Sequence, residues 1–125
     1  MLCLFFGGVN VSETLIKQCY DLLNWYREHQ YLLGAQSARG KLFRRVDETF
    51  RVAFECLPEQ HRYILMGFYV QRLHDYELFS QLAVGKSQFY RHKKSAVKML
   101  IEIIGASKIA KLASELSAPG DTANG

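Results

Sequence analysis

LAVGKSQFYRHKK (residues 82–94) passes from an apolar pair through Gly85 into a segment with five basic residues, His92 included. Two aromatics, Phe89 and Tyr90, stand side by side within it. A solvated surface accounts for the charges but not for the aromatics. A helix that buries one face and turns the other towards a polyanion accounts for both. The register can be tested. With Ala83 at the turn, Leu78, Leu82, Val84 and Phe89 point inward, and Ala96 and Leu100 extend the stripe. Lys86, Ser87, Gln88, Tyr90, Arg91 and Lys94 then share the opposite face. With Gly85 at the turn instead, Lys86 and Arg91 would be buried without partners, which costs far more than a turn preference returns. The first register is therefore expected. It predicts a short helix over residues 76–82 capped by Asp75, a tight turn, and a basic helix over Lys86–Ile104, the layout of a helix-turn-helix.

Two residues fit that motif poorly. Phe79 stands where the motif prefers a small side chain, because its two helices approach there. Ala83 replaces the glycine that supplies a left-handed conformation at no steric cost. His92 falls at a position that is often apolar and reads as a buried neutral histidine.

The charge distribution agrees with a polyanionic partner. The net charge of the 125 residues is +4. Residues 1–85 balance nine Lys/Arg against nine Asp/Glu, whereas residues 86–111 carry seven Lys/Arg against Glu102 alone. Such asymmetry points to an acidic partner, most simply double-stranded DNA. On the basic helix, Arg91 can pair bidentately with guanine and Gln88 with adenine. Tyr90 is available for a phosphate or base contact. Ser87 lies on the same face. Lys86, Lys93, Lys94 and Lys98 read as phosphate partners, which add affinity and salt dependence but no sequence information.

The remainder of the chain reads as helix, so the expected class is all-α: a helical N-terminal half followed by the helix-turn-helix. Asn10 or Ser12 caps a first helix with an apolar stripe of Leu15, Ile16, Cys19, Leu22, Leu23 and Tyr26. Gly34 is its expected stop. Residues 35–40 are weakly patterned. A second helix turns Leu42, Phe43, Val46, Phe50, Ala53 and Phe54 inward and ends before Pro58. Pro58 also suits the start of a third helix, to about Val70, with Ile64, Leu65, Phe68 and Tyr69 apolar. Residues 107–116 keep helical spacing at Ile109, Leu112, Ala113 and Leu116, as a last helix or a dimer contact. The expected division is 1–56 as a bracing or dimerising segment, 57–105 as the DNA-binding unit, and 106–125 as a short helix with a disordered tail.

Several function classes are disfavoured. Three cysteines without C-x-x-C spacing argue against a disulfide framework or zinc site and suit a reducing cytoplasm. The four histidines match no metal-ligand spacing, so no metal or cofactor is expected. No phosphate-binding glycine loop or nucleophile motif suggests an enzyme. The longest apolar run, LCLFFGGV at residues 2–9, is too short to span a bilayer. It reads as an extended segment packed on the domain or on a neighbour. The group Trp25, Tyr26 and Arg27 reads as core or boundary packing before a partner surface.

From Leu57 to Leu100, LPEQHRYILMGFYV and YELFSQLAVGKSQFYRHKKSAVKML resemble the fourth region of bacterial sigma factors. The spacing of Glu77-Leu78, Leu82-Ala83-Val84, Phe89-Tyr90-Arg91 and Ala96 carries the resemblance. The piece running from Ser87 to Lys94, SQFYRHKK, is similar to the recognition helix of the ArpU-like (autolysin regulatory protein) phage transcriptional regulators. That resemblance implies DNA binding in the control of late phage genes, those for packaging and lysis. It leaves two alternatives: a sigma-like module that contacts RNA polymerase, or the DNA-recognition small subunit of a packaging terminase.

Overall fold

A computed structural model describes residues 11–117. Six α-helices account for most of them, and no strand occurs among the described residues. The chain is thus all-α. The apolar segment 2–9, the alternative cap Asn10 and the tail beyond Ser117 lie outside the described residues.

Helix α1 (Glu13–Glu28) begins at Ser12, whose hydroxyl accepts from the Leu15 N–H at 3.1 Å. Its stripe of Ile16, Cys19, Leu22, Leu23 and Tyr26 is buried. A 3-10 turn (Gln30–Gly34) leads to α2 (Ala38–Glu55). The weakly patterned residues between them contain the cap of α2: Ser37 Oγ accepts from the Gly40 N–H at 3.2 Å. Gly40 is there for space, since a Cβ would clash with the Ala35 carbonyl oxygen. All six inward residues expected of α2 are buried.

Pro58 caps α3 (Glu59–Leu65), which widens into one π-turn (Met66–Val70). Arg72, left-handed at φ 63°, then redirects the chain into α4 (Asp75–Leu82). The cap of α4 is His74, not Asp75. The Glu77 carboxylate accepts from the His74 N–H at 2.8 Å, and Asp75 is freed for contacts with the next helix. Helix α5 (Lys86–Ile104) follows, then Gly105 at φ 102° and α6 (Ala106–Leu116).

The turn before α5 follows the first register. Ala83 is left-handed, with φ 58° and ψ 41°. The Val84 N–H reaches the Phe79 carbonyl, and the Ala83 N–H the Ser80 carbonyl, each at 3.2 Å. This is the paired hydrogen bonding that closes a helix at a left-handed residue. Gly85 is an extended N-cap and needs no glycine geometry. The close approach expected near Phe79 occurs elsewhere: a Cβ on Gly67 would sit 2.6 Å from Leu78 Cδ2, so a glycine in the π-turn admits α4. Phe79 is half-buried, its ring edge-on to Phe89 at 5.7 Å.

One cluster of buried side chains runs from Ile16 to Leu112, so the three expected segments share a single core over the described residues. Helix α5 touches α1, α2, α3, α4 and α6. It contributes Phe89, Ala96, Val97, Leu100 and Ile101 to that core. Helix α6 lies along α1 through Ile109 and Leu112. A bidentate pair between Arg45 and Glu115, at 2.8 and 3.2 Å, ties it to α2. Tyr26 donates its hydroxyl to Asp47 Oδ1 at 2.6 Å, and Arg51 approaches the same oxygen at 2.8 Å.

An L-residue in the left-handed region costs about 1–2 kcal/mol, of which glycine's freer unfolded chain gives back roughly 0.4–1. Ala83→Gly is therefore expected to stabilise the protein by about 0.5–1 kcal/mol in urea unfolding; a loss of stability would contradict the turn geometry. Burial pushes the Cys19 thiol from 9.0 to about 12 and also raises the Tyr69 phenol. Both groups are held neutral in the fold, so their contribution is intact below the unfolded-state values and is lost as pH climbs towards the folded ones. Stability should fall above about pH 9, and Cys19→Ala should make that fall shallower.

Candidate nucleic-acid interface

Helix α5 has two chemically distinct faces because its apolar residues recur with helical spacing while its cations fall between them. With Phe89, Ala96, Val97 and Leu100 fully buried, Lys86, Ser87, Gln88, Tyr90, Arg91, Lys94 and Lys98 are exposed. Gln88, Arg91, Lys94 and Lys98 line one open groove together with His92 and Ser95. The lining carries three cations, a carboxamide and a hydroxyl, and no acid. Lys86 and Tyr90 lie in a neighbouring cleft between α4 and α5.

Lys93 is a correction to the expected set of phosphate contacts. It is only 8 % exposed and faces inward. Its Nζ lies 3.4 Å from Asp75 Oδ1 and 3.8 Å from the centroid of the Phe68 ring. Burial lowers its pKa, and the Asp75 carboxylate opposes that shift. A cation at this depth is tolerable because a carboxylate and an aromatic face replace part of its hydration. Helical spacing by itself explains the position: Lys93 is four residues after Phe89 and so follows it into the core side.

Tyr90 is on the exposed face, but its hydroxyl donates to Asp75 Oδ2 at 2.7 Å. That bond and the carboxylate charge raise the Tyr90 pKa. Its ring, rather than its hydroxyl, is the part presented to a ligand. Asp75 thus joins α4 to α5 twice, through Tyr90 and Lys93.

His92 is half-buried rather than buried and forms part of the groove wall. Its ring centroid is 6.4 Å from that of His61 on α3. Burial, with His92 nearby, lowers the His61 pKa, which favours the neutral ring. His61 Nδ1 is buried without a hydrogen-bond partner.

Sequence reasoning did not find Ser95, Arg27 or Tyr76. Ser95 was accessible to it, lying four residues after Arg91 on the same face. Arg27 was not: its Nε donates to the Phe68 carbonyl at 3.0 Å and its guanidinium lies 4.5 Å from the Phe68 ring centroid, a contact between distant parts of the chain. Trp25 and Tyr26 pack on Phe43, with centroids at 5.7 and 5.3 Å, in keeping with boundary and core roles. Tyr31 remains 74 % exposed.

No helix among the described residues is long and apolar enough to cross a membrane. Among the same residues, no group of three or more His, Cys, Asp or Glu side chains could hold a metal ion. The chain matches no protein family, no curated protein and no solved structure.

The reassignment of Lys93 is testable beside its neighbour. Lys93→Ala removes a packed stem and a carboxylate partner and is expected to cost roughly 1–3 kcal/mol of stability. Lys94→Ala, on the open face, should stay within about 0.5 kcal/mol. Equal urea midpoints for the two variants would refute the burial of Lys93.

Proposed function

We propose that the protein is a sequence-reading, double-stranded-DNA-binding regulator of transcription. The observation that carries this reading is the outward face of α5. It offers Lys86, Arg91, Lys94 and Lys98 on a helix whose opposite side is locked into the core. A rigid helix with a basic outer face suits the major groove, which admits an α-helix and presents a distinct donor and acceptor pattern for each base pair. Gln88 and Arg91 have the planar, bidentate chemistry for base edges. Lys86, Lys94 and Lys98 have the compact charge for phosphates. Ser87, at the start of the helix, suits a phosphate oxygen.

The left-handed turn at Ala83 supports the helix-turn-helix reading of α4 and α5. The resemblance to ArpU-like regulators adds a more specific proposal, control of late phage genes. A protein-contacting module, with RNA polymerase as one candidate partner, is the second reading. The exposed Tyr31 and Leu33 beside the stacked Trp25 and His29 favour it.

Selection from a pool of random duplexes across a salt series tests the first reading. An enriched motif with a negative log–log salt slope is expected. Three phosphate-binding lysines give a slope of about −2.7, at −0.9 per contact. Arg91→Ala should cost roughly 1–3 kcal/mol on the enriched site and relax the motif at one position. Lys98→Ala should weaken all sequences alike and reduce the slope by about 0.9. Indistinguishable behaviour of the two variants would refute the separate roles. No retention at about 50 mM salt, where counterion release favours binding, would shift the reading to the protein-contacting module.

A further inference from the structure

Beside the outward face of α5 lies a second depression, where α4 and α5 meet the π-turn and α1. Its character differs from that of the groove. His74, Tyr76, Phe79 and Tyr90 supply ring surfaces, and Arg27 and Lys86 supply positive charge. Tyr76 is 61 % exposed. Its ring is parallel to that of His74, with an interplanar angle of 14° and centroids 5.5 Å apart. The two form a short stacked platform open to solvent.

The acid in the cleft, Asp75, does not make it acidic. One carboxylate oxygen faces the Lys93 ammonium and the other accepts from Tyr90, so its charge is already balanced by Lys93. The cations at the cleft are therefore not cancelled by it. The bond to Asp75 also holds the Tyr90 ring in place. Phe68, beneath Arg27 and Lys93, completes the apolar floor.

We propose that this cleft takes an unpaired nucleotide. The base would stack on the Tyr76–His74 platform, and its flanking phosphate would meet Lys86. Aromatic faces bind bases by stacking irrespective of sequence, and adjacent cations follow the backbone. Lys86 and Tyr90 belong both to this cleft and to the outward face of α5, so the two surfaces are continuous. The proposal rests on the nucleic-acid reading of α5 and deepens it: the preferred substrate is a duplex that is locally open or ends in a single strand.

The test uses the full chain and two fluorescent duplexes of the same length, one fully paired and one with a central bubble of unpaired thymines. Stacking of one base on the platform should make the bubble bind about tenfold more tightly. Tyr76→Ala should abolish that preference and leave affinity for the paired duplex unchanged. Tyr76→Phe, which keeps the ring, should retain it. A 2-aminopurine placed in the bubble gives a direct reading in the unaltered protein, with lower emission when the base stacks. Equal affinity for the two duplexes, a preference that survives Tyr76→Ala, or unchanged 2-aminopurine emission would each overturn the proposal while leaving duplex binding by α5 intact. Failure of both duplexes to bind at about 50 mM salt would overturn the DNA reading and this one together.

Discussion

Burial of Phe89 sets the rotation of α5, and every exposed cation on that helix takes its direction from it. The ring is fully buried and meets Phe79 edge-on, while Ala96, Val97 and Leu100 continue the same stripe into the core. A helix anchored at so many points along one side cannot roll without exposing apolar surface at about 25 cal/mol per Å². Arg91, Lys94 and Lys98 are therefore held outward by the hydrophobic effect acting on their neighbours. The direction in which α5 leaves α4 has a separate origin, in the left-handed Ala83 and its two hydrogen bonds. Rotation and direction together orient the basic face.

Asp75 connects this arrangement to the rest of the fold. It faces Lys93 and Tyr90 on α5, and Lys93 in turn lies over Phe68, which also receives Arg27 from α1. The chain of contacts joins α1, the π-turn, α4 and α5 at one corner of the molecule. The π-turn contributes twice, since Gly67 lets Leu78 approach and Phe68 gives two cations an aromatic face. A regular helical turn would rotate these residues differently, so the widened turn has a structural role here. The polar contacts at this corner join elements whose apolar contact is limited by the short length of α4.

Much of this was legible in the residues. Apolar spacing identified the stripes of α1 and α2, and the cost of burying Lys86 and Arg91 selected the register with Ala83 at the turn. That choice worked because the penalty for an unpaired buried cation is much larger than the strain of an alanine in a left-handed turn. The same reasoning misread Lys93. It counted the residue among the phosphate partners, although its spacing from Phe89 is that of a core position. Asp75 was read as a cap because aspartate at a helix start usually is one. In the fold, Lys93 and Tyr90 each engage one of its carboxylate oxygens, and His74 and Glu77 take over the start of α4.

By itself, the sequence determined that the chain is helical, which faces of its helices are apolar, and that positive charge gathers on one of them. These are properties of local spacing, and spacing along a helix is visible in one dimension. The tertiary structure alone decided that Lys93 meets Asp75, that the Tyr90 hydroxyl is taken, and that His74, Tyr76 and Arg27 meet beside α5. Each of those depends on residues far apart in the chain approaching one another, and the approach is set by the packing of α1, the π-turn and α4. An ion pair or a cleft between helices has no signature in the order of residues, because its partners are chosen by the core that brings them together.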